Sequence, residues 1–261
     1  MSNAKKFVNK LHGRRVLIIG GTSGLGFAAA EASVEYGVSQ IILSSSQESR
    51  VNHAIAKLKA SYPHSQTEII GYTCDLANES SLENNIKDLF SKVGTIDHIV
   101  FTAGDAPSLE PFVNTDFDTM KQIGMVRFFG PLLVARYGHT HLSPGPASSI
   151  TLTTGVSGTK PIPGWTTTAS YLSGLHGMTR SLALDLKPVR VNLVNPGAVN
   201  TEMWDILEPE VREHLIEELR KVTTTGRVGT VEDIAEAYLY CMRDQNLTGS
   251  VIHTNGGRLL L

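Results

Sequence analysis

Three observations predict a doubly wound α/β fold, with about seven parallel strands and helices on both faces of the sheet. Short apolar runs alternate with helix-length stretches along the whole chain, a spacing that calls for right-handed crossovers and a parallel sheet. Those runs are almost continuously apolar, as strands buried on both faces are. No Pro/Gly-rich linker interrupts the 261 residues, so the expectation is one domain over residues 1–261, with its pocket at the carboxyl ends of the strands.

The elements follow in order. VLIIG at 16–20 is the first strand. A glycine-rich turn leads into a helix over 25–36, which Gly37 ends. Strand two covers 40–43, a helix 48–60, strand three 68–72, a helix 80–92 and strand four 96–101. The second half repeats this rhythm: helix 117–137, strand 149–153, a long helix 169–185, strand 189–194, a surface helix 210–219, a helix 232–242 and a last strand 250–253. The small residues of the long helix suit either an oligomer interface or a monomer core.

The composition, 41% hydrophobic and 18% charged, excludes a disordered chain. Lys and Arg total 23 against 25 Asp and Glu, a net charge of −2 with no long basic run, so no nucleic-acid partner is expected. Cys74 and Cys241 lie far apart and make neither a disulfide framework nor a metal site; a reducing, cytoplasmic setting is expected. No apolar stretch approaches 18 residues, so no membrane span is expected. The short polar start at residues 1–6 is unlike a signal peptide. His139 and His141 are close neighbours without an evident third ligand, and no metal is expected.

The segment IIGGTSGLG sets Gly20, Thr22, Ser23, Gly24, Leu25 and Gly26 between a strand and a helix. Small residues there let the backbone turn tightly and approach a pyrophosphate, to which the helix N-terminus offers N–H donors and partial positive charge. Asp75 and Leu76, in TCDL, close strand three; the carboxylate suits an adenine amino group or, equally, a helix cap. Ala103 and Gly104 close strand four and leave room for a cofactor. At the end of strand two a carboxylate would hold the ribose hydroxyls of NAD. This chain has Ser44 and Ser45 there, with Arg50 beyond, and hydroxyls plus a guanidinium suit a phosphate, which favours NADP(H).

Together these segments resemble the short-chain dehydrogenase/reductase family. So do TAG at 102–104, VNLVNPGAVNT at 191–201, GRVGTVEDIA at 226–235 and the terminal TGSVIHTNGG. The resemblance implies a seven-stranded Rossmann sheet. It places Pro196 and Gly197 beside the nicotinamide, and Val199 and Thr201 where a backbone and a hydroxyl hold the carboxamide and phosphates. A homodimer or homotetramer is expected.

The catalytic set departs from the family's Asn, Ser, Tyr and Lys. Arg127 stands in the Asn slot, Gly155 in the Ser slot, Thr168 in the Tyr slot and Leu172 in the Lys slot. A phenol tuned by an ammonium protonates the oxygen in ketone reduction; a threonine hydroxyl beside a leucine cannot. An iminium ion already carries its charge on nitrogen, so hydride addition to its carbon needs no proton. The site then has only to bind, orient and exclude water. The Arg, and Pro161-Ile162-Pro163-Gly164-Trp165, further resemble a fungal malbrancheamide-type subfamily of NADPH-dependent reductase/Diels–Alderases in indole alkaloid pathways, whose segment has Asp at the Ile162 position.

On this reading Arg127 orients a substrate carbonyl or amide, or pairs structurally with Asp105. Trp165 stacks on an indole-like substrate or packs its own loop. Thr168 contacts the ligand or caps a helix beginning at Ala169. Lys160 is expected to be solvated and Tyr171 to pack. Met203 and Trp204 form an apolar lid or a flap against another subunit. The expected enzyme is an NADPH-dependent reductase of an imine, iminium or similarly activated, apolar small molecule, with coupled cyclisation. A cofactor-bound non-redox cyclase and a nucleotide-binding pseudoenzyme remain as alternatives.

Overall fold

Along the first strand, β1 (Arg15–Ile19), side chains leave alternately to opposite faces: Val16 and Ile18 join one apolar cluster, Leu17 and Ile19 another. All four are buried, so the strand needs a layer on each side. The computed structural model, which describes residues 6–105 and 111–261, supplies both layers. The polar start at residues 1–5 lies outside the described residues.

One sheet carries seven parallel strands in the order β3 (Glu68–Thr73), β2 (Gln40–Ser45), β1, β4 (His98–Phe101), β5 (Ser149–Thr153), β6 (Arg190–Pro196), β7 (Val251–Thr254). The chain winds outward in one direction to β3 and in the other from β4 to β7. The carboxyl ends of β1 and β4 therefore diverge into a crevice at the switch point.

Helices α1 (Gly24–Glu35), α2 (Glu48–Ser61) and α8 (Val231–Arg243) bury their apolar faces on the Val16/Ile18 side. The opposite side takes α3 (Leu82–Val93), α5 (Gly130–Gly138), which follows α4 (Phe117–Gly124), and α6 (Thr166–Asp185). Helix α7 (Pro209–Lys221) buries none of its residues and rides outside. No helix among the described residues is long and apolar enough to cross a membrane. Arg190 is buried, and its guanidinium donates to the carbonyls of Pro146, Cys241, Met242 and Leu247, tying β6 to the end of α8.

Two helices differ from expectation. The stretch predicted as one helix over 117–137 is α4, a π turn at Met125–Phe129, and then α5. Pro131 has no N–H to return to the carbonyl four residues back, that of Arg127, and the helix widens just ahead of it. The long helix begins at Thr166, three residues before the predicted start, because three threonines in a row give no apolar period to read. Thr168 is therefore inside the first turn and does not cap a helix starting at Ala169.

Candidate functional site

The turn between β1 and α1 is built from backbone. Gly20 has φ +87, and a Cβ on it would stand 2.5 Å from the Ala103 nitrogen. A Cβ on Gly26 would run into the Gly20 carbonyl and the Thr102 hydroxyl. Thr102 Oγ1 in turn donates to the carbonyls of Ile19 (3.1 Å) and Gly20 (3.2 Å), fastening the end of β4 to the turn. Gly20 and Gly21 both donate to the Ser44 carbonyl. The amino end of α1 thus emerges free of side-chain bulk, with Thr22, Ser23 and Leu25 around it and Ser23 making no side-chain cap.

That amino end already holds an anion. The Gly24 N–H donates to Glu202 Oε2 at 2.9 Å, from a position 178 residues away. The N–H groups and partial positive charge of a helix amino end suit an acidic oxygen, and suit a diphosphate for the same reason. Around the crevice stand Pro196, buried, and Gly197, where a Cβ would stand 2.9 Å from the Asn255 Cα. Val199 is pinned by a bridge to Gly229, and the Thr201 methyl lies over Gly24. The residues present fit an NAD(P)-type cofactor.

At the adenosine end the side chains are less uniform. Ser44 is fully buried and its hydroxyl has no partner, so it does not face solvent; Ser45 is half-buried and Arg50, in the first turn of α2, is exposed. The expectation that both serines present their hydroxyls to a ligand meets a difference at Ser44: β2 is covered on both faces, and Gln40 to Ser44 are all buried. Asp75 does not cap the next helix, which begins at Leu82. Its Oδ1 accepts from the Ala77 N–H in an Asx turn, and Leu76 is buried in the core.

The substrate side is built from side chains. Arg127 sits in the middle of the π turn, and its guanidinium lies flat over Gly104, within 3.0 Å of where a Cβ would be. The space expected over Gly104 for a cofactor is, on this face, taken by that guanidinium. Nη2 donates to the backbone carbonyl of Asp105, so the pair meets through the main chain. Burial pulls the Arg127 pKa down while Asp105 pushes it up. Partial burial holds the Asp105 carboxyl above its ordinary value, against the opposing pull of Arg127.

Thr168 and Leu172, expected in the Tyr and Lys slots, are both buried. Leu172 is 5% exposed inside the apolar core, 3.7 Å from where a Gly155 Cβ would lie. Its carbonyl accepts from Thr154 Oγ1 at 2.8 Å. Thr168 is 3% exposed. Tyr171 packs with Phe128 and Phe129, and its hydroxyl donates to the Met120 carbonyl at 3.1 Å. Trp165, half-buried, precedes α6 and follows an exposed loop that carries Ile162. Lys160 is not simply solvated: it is half-buried and donates to the Arg258 carbonyl. Met203 and Trp204 occupy a short turn, Glu202–Ile206, with Met203 exposed and Trp204 half-buried.

Sequence reasoning missed Glu202. Its position directly after Thr201 was the only signal, and nothing local links it to Gly24. It also missed a polar string in which Asn195 Nδ2 reaches Thr159 Oγ1 and His253 Nδ1. Among the described residues no three His, Cys, Asp or Glu side chains form a metal-binding group.

A family model described as an SDR-like Rossmann domain matches residues 7–261. The chain is 41% identical over 264 residues to "Short-chain dehydrogenase/reductase fsr5" of Gibberella fujikuroi, with all of both chains covered. It is 38% identical to "Short-chain dehydrogenase/reductase malC" of Malbranchea aurantiaca, again over the whole of both. A solved structure of the MalC reductase/Diels-Alderase from that organism superposes with TM-score 0.91 at 39% identity, covering 97% of this chain and 99% of that one. A small-chain dehydrogenase solved in complex with NADPH superposes with TM-score 0.76 at 25% identity, covering 95% and 99%.

Proposed function

Since the chain belongs to the short-chain dehydrogenase/reductase family, we propose that it is an NADPH-dependent reductase of an iminium or imine carbon in an apolar, indole-containing small molecule of alkaloid biosynthesis, with cyclisation coupled to reduction. One observation carries this reading: the glycine turn at the amino end of α1 is free of side-chain bulk, while the positions where the family resemblance expects Ser, Tyr and Lys hold Gly155, buried Thr168 and core Leu172. The MalC likeness and the NADPH held by a relative support the substrate class and the choice of cofactor.

The cofactor, when bound, would supply hydride to the carbon of an iminium, or of an imine already protonated from solvent; the nitrogen then carries the positive charge, and the product amine forms with no proton added in that step. The chain's part is placement. The α1 N-terminus and Thr201 bind the diphosphate end, and Ser45 with Arg50 receives the 2′-phosphate. Arg127 spends one N–H on the Asp105 carbonyl, and the rest of its donor fork holds a substrate carbonyl or amide. That neutral acceptor stands between the guanidinium and the cation, which would otherwise repel each other. Trp165 covers the ring system, and Phe128, Phe129 and Tyr171 keep water out. Cyclisation needs a fixed shape and no acid, and the same walls provide it.

Two free, buried cysteines support a cytoplasmic location, and the net charge of −2 supports a partner other than nucleic acid. Leu132 on α5 and Leu184 on α6 stand exposed on one side of the sheet, which supports covering by a second copy as a homodimer or homotetramer.

The test is isotope transfer. With 4-deuterated NADPH, a cyclic indole iminium should gain deuterium at carbon while a matched ketone panel stays inert. Ketone reduction at a comparable rate overturns the reading. Product formed without NADPH consumption replaces it with a non-redox cyclase.

A further inference from the structure

Glu202 is an exposed residue at the start of the short turn that carries Met203 and Trp204. Its carboxylate is bonded to the first backbone N–H of α1, a twelve-residue helix with no acidic residue in its first turn and no side chain of its own capping that end. The turn is held at three more points. Trp204 donates back to the Thr201 carbonyl, Arg212 bridges Asp205 at 2.6 Å, and the same Arg212 reaches Asn200 Oδ1 at 2.7 Å. The chain from Asn200 to Arg212 thus forms a braced arm, and Glu202 is the charged group by which it touches the glycine turn.

Resting on the cofactor reading above, we propose that Glu202 is a built-in competitor of the cofactor. Its carboxylate caps α1 in the free protein and must leave when a diphosphate arrives. Two anions at one helix end repel each other and compete for its free N–H groups and its partial charge. Binding therefore does two things at once: it fills the cradle and it frees the 202–206 turn from α1. Wild-type affinity for the cofactor is weaker than the cradle alone would give, by the cost of removing the cap.

The experiment is calorimetric titration of the wild type, Glu202→Ala and Glu202→Gln with NADPH and, by competition, with adenosine 2′-monophosphate, which has no diphosphate. The alanine variant should bind NADPH roughly threefold to tenfold more tightly than wild type, with the glutamine variant between them, because a charge-assisted cap contact is lost. Adenosine 2′-monophosphate should bind all three alike. In thermal melts without ligand, Glu202→Ala should melt slightly lower than wild type. Unchanged or weaker NADPH binding by both variants overturns the competitor role while leaving the cofactor reading standing. An equal gain for adenosine 2′-monophosphate also overturns it, because the effect would then lie away from the diphosphate. Absence of NADPH binding by all three chains overturns both readings.

Discussion

The two sides of the crevice are made of different material. On the β1–α1 side the working parts are backbone: a φ of +87 at Gly20, a bare Cα at Gly26, and N–H groups at a helix end. On the β5–α6 side they are side chains, with Gly155, Thr168 and Leu172 where the family resemblance leads one to expect Ser, Tyr and Lys. A backbone cradle tolerates almost no substitution, because the atoms that would be struck cannot move aside. A side-chain site can be rewritten one residue at a time on the same scaffold, which is how one fold serves different chemistries.

The sharpest way to break this contrast is Gly26→Val. The added atoms meet the Gly20 carbonyl and the Thr102 hydroxyl, so NADPH affinity should fall by at least about a hundredfold and Tm by about 10 °C. Calorimetry and a thermal melt read both; a variant that still binds normally would mean that the turn is more yielding than its geometry indicates. On the opposite side, Arg127→Ala should cut single-turnover reduction roughly 10- to 100-fold, the scale of a lost charged hydrogen bond. NADPH Kd should stay within about threefold of wild type. If instead cofactor binding and Tm collapse together, the guanidinium over Gly104 is a structural prop and the two sides are less separate than drawn.

The smallest effect asks whether charge matters in the outer layer of the backbone-built side. Asp233 completes the capping box of α8 with Thr230 and takes a two-point ion pair from Arg227, at 2.5 and 2.8 Å. Hydrogen bonds from Arg227, and then from the Thr230 backbone, hold its carboxyl well below the usual range. A depressed acid stabilises the fold above its unfolded pKa of about 4 and loses that contribution as pH falls through its folded value. Asp233→Ala should therefore cost about 1 kcal/mol at neutral pH, allowing for solvent screening, and progressively less in acid. Urea melts at pH 7 and at low pH check the sign.

The same division explains what could be read from the sequence. The sheet, its helices and the glycine turn were legible because period, glycine spacing and strand–turn–helix context are local signals. The slots of Arg127, Thr168 and Leu172 could be assigned by position, but not what surrounds them. The π turn depends on Pro131 four residues past Arg127, and the Arg127 bond to the Asp105 carbonyl depends on how two loops meet. Ser44 looked available because it lies near a strand end, yet layers on both faces of β2 bury its hydroxyl. The Glu202 contact spans 178 residues and has no periodic trace.

The packing of α1 on α8 has a consequence for how the chain is made. Phe27, Ala29, Ala30 and Val34 near one end of the chain share a cluster with Ile234, Ala237, Tyr238 and Met242 near the other. The nucleotide turn is complete in sequence by residue 26, but the helix behind it stays uncovered until the last helix has left the ribosome. During synthesis the nascent chain carries an exposed apolar helix face and open parallel strand edges, the kind of surface that chaperones protect. Closure of the fold is thus a late event joining its two ends, and a ligand that grips the α1 turn acts on the same helix that closure must cover.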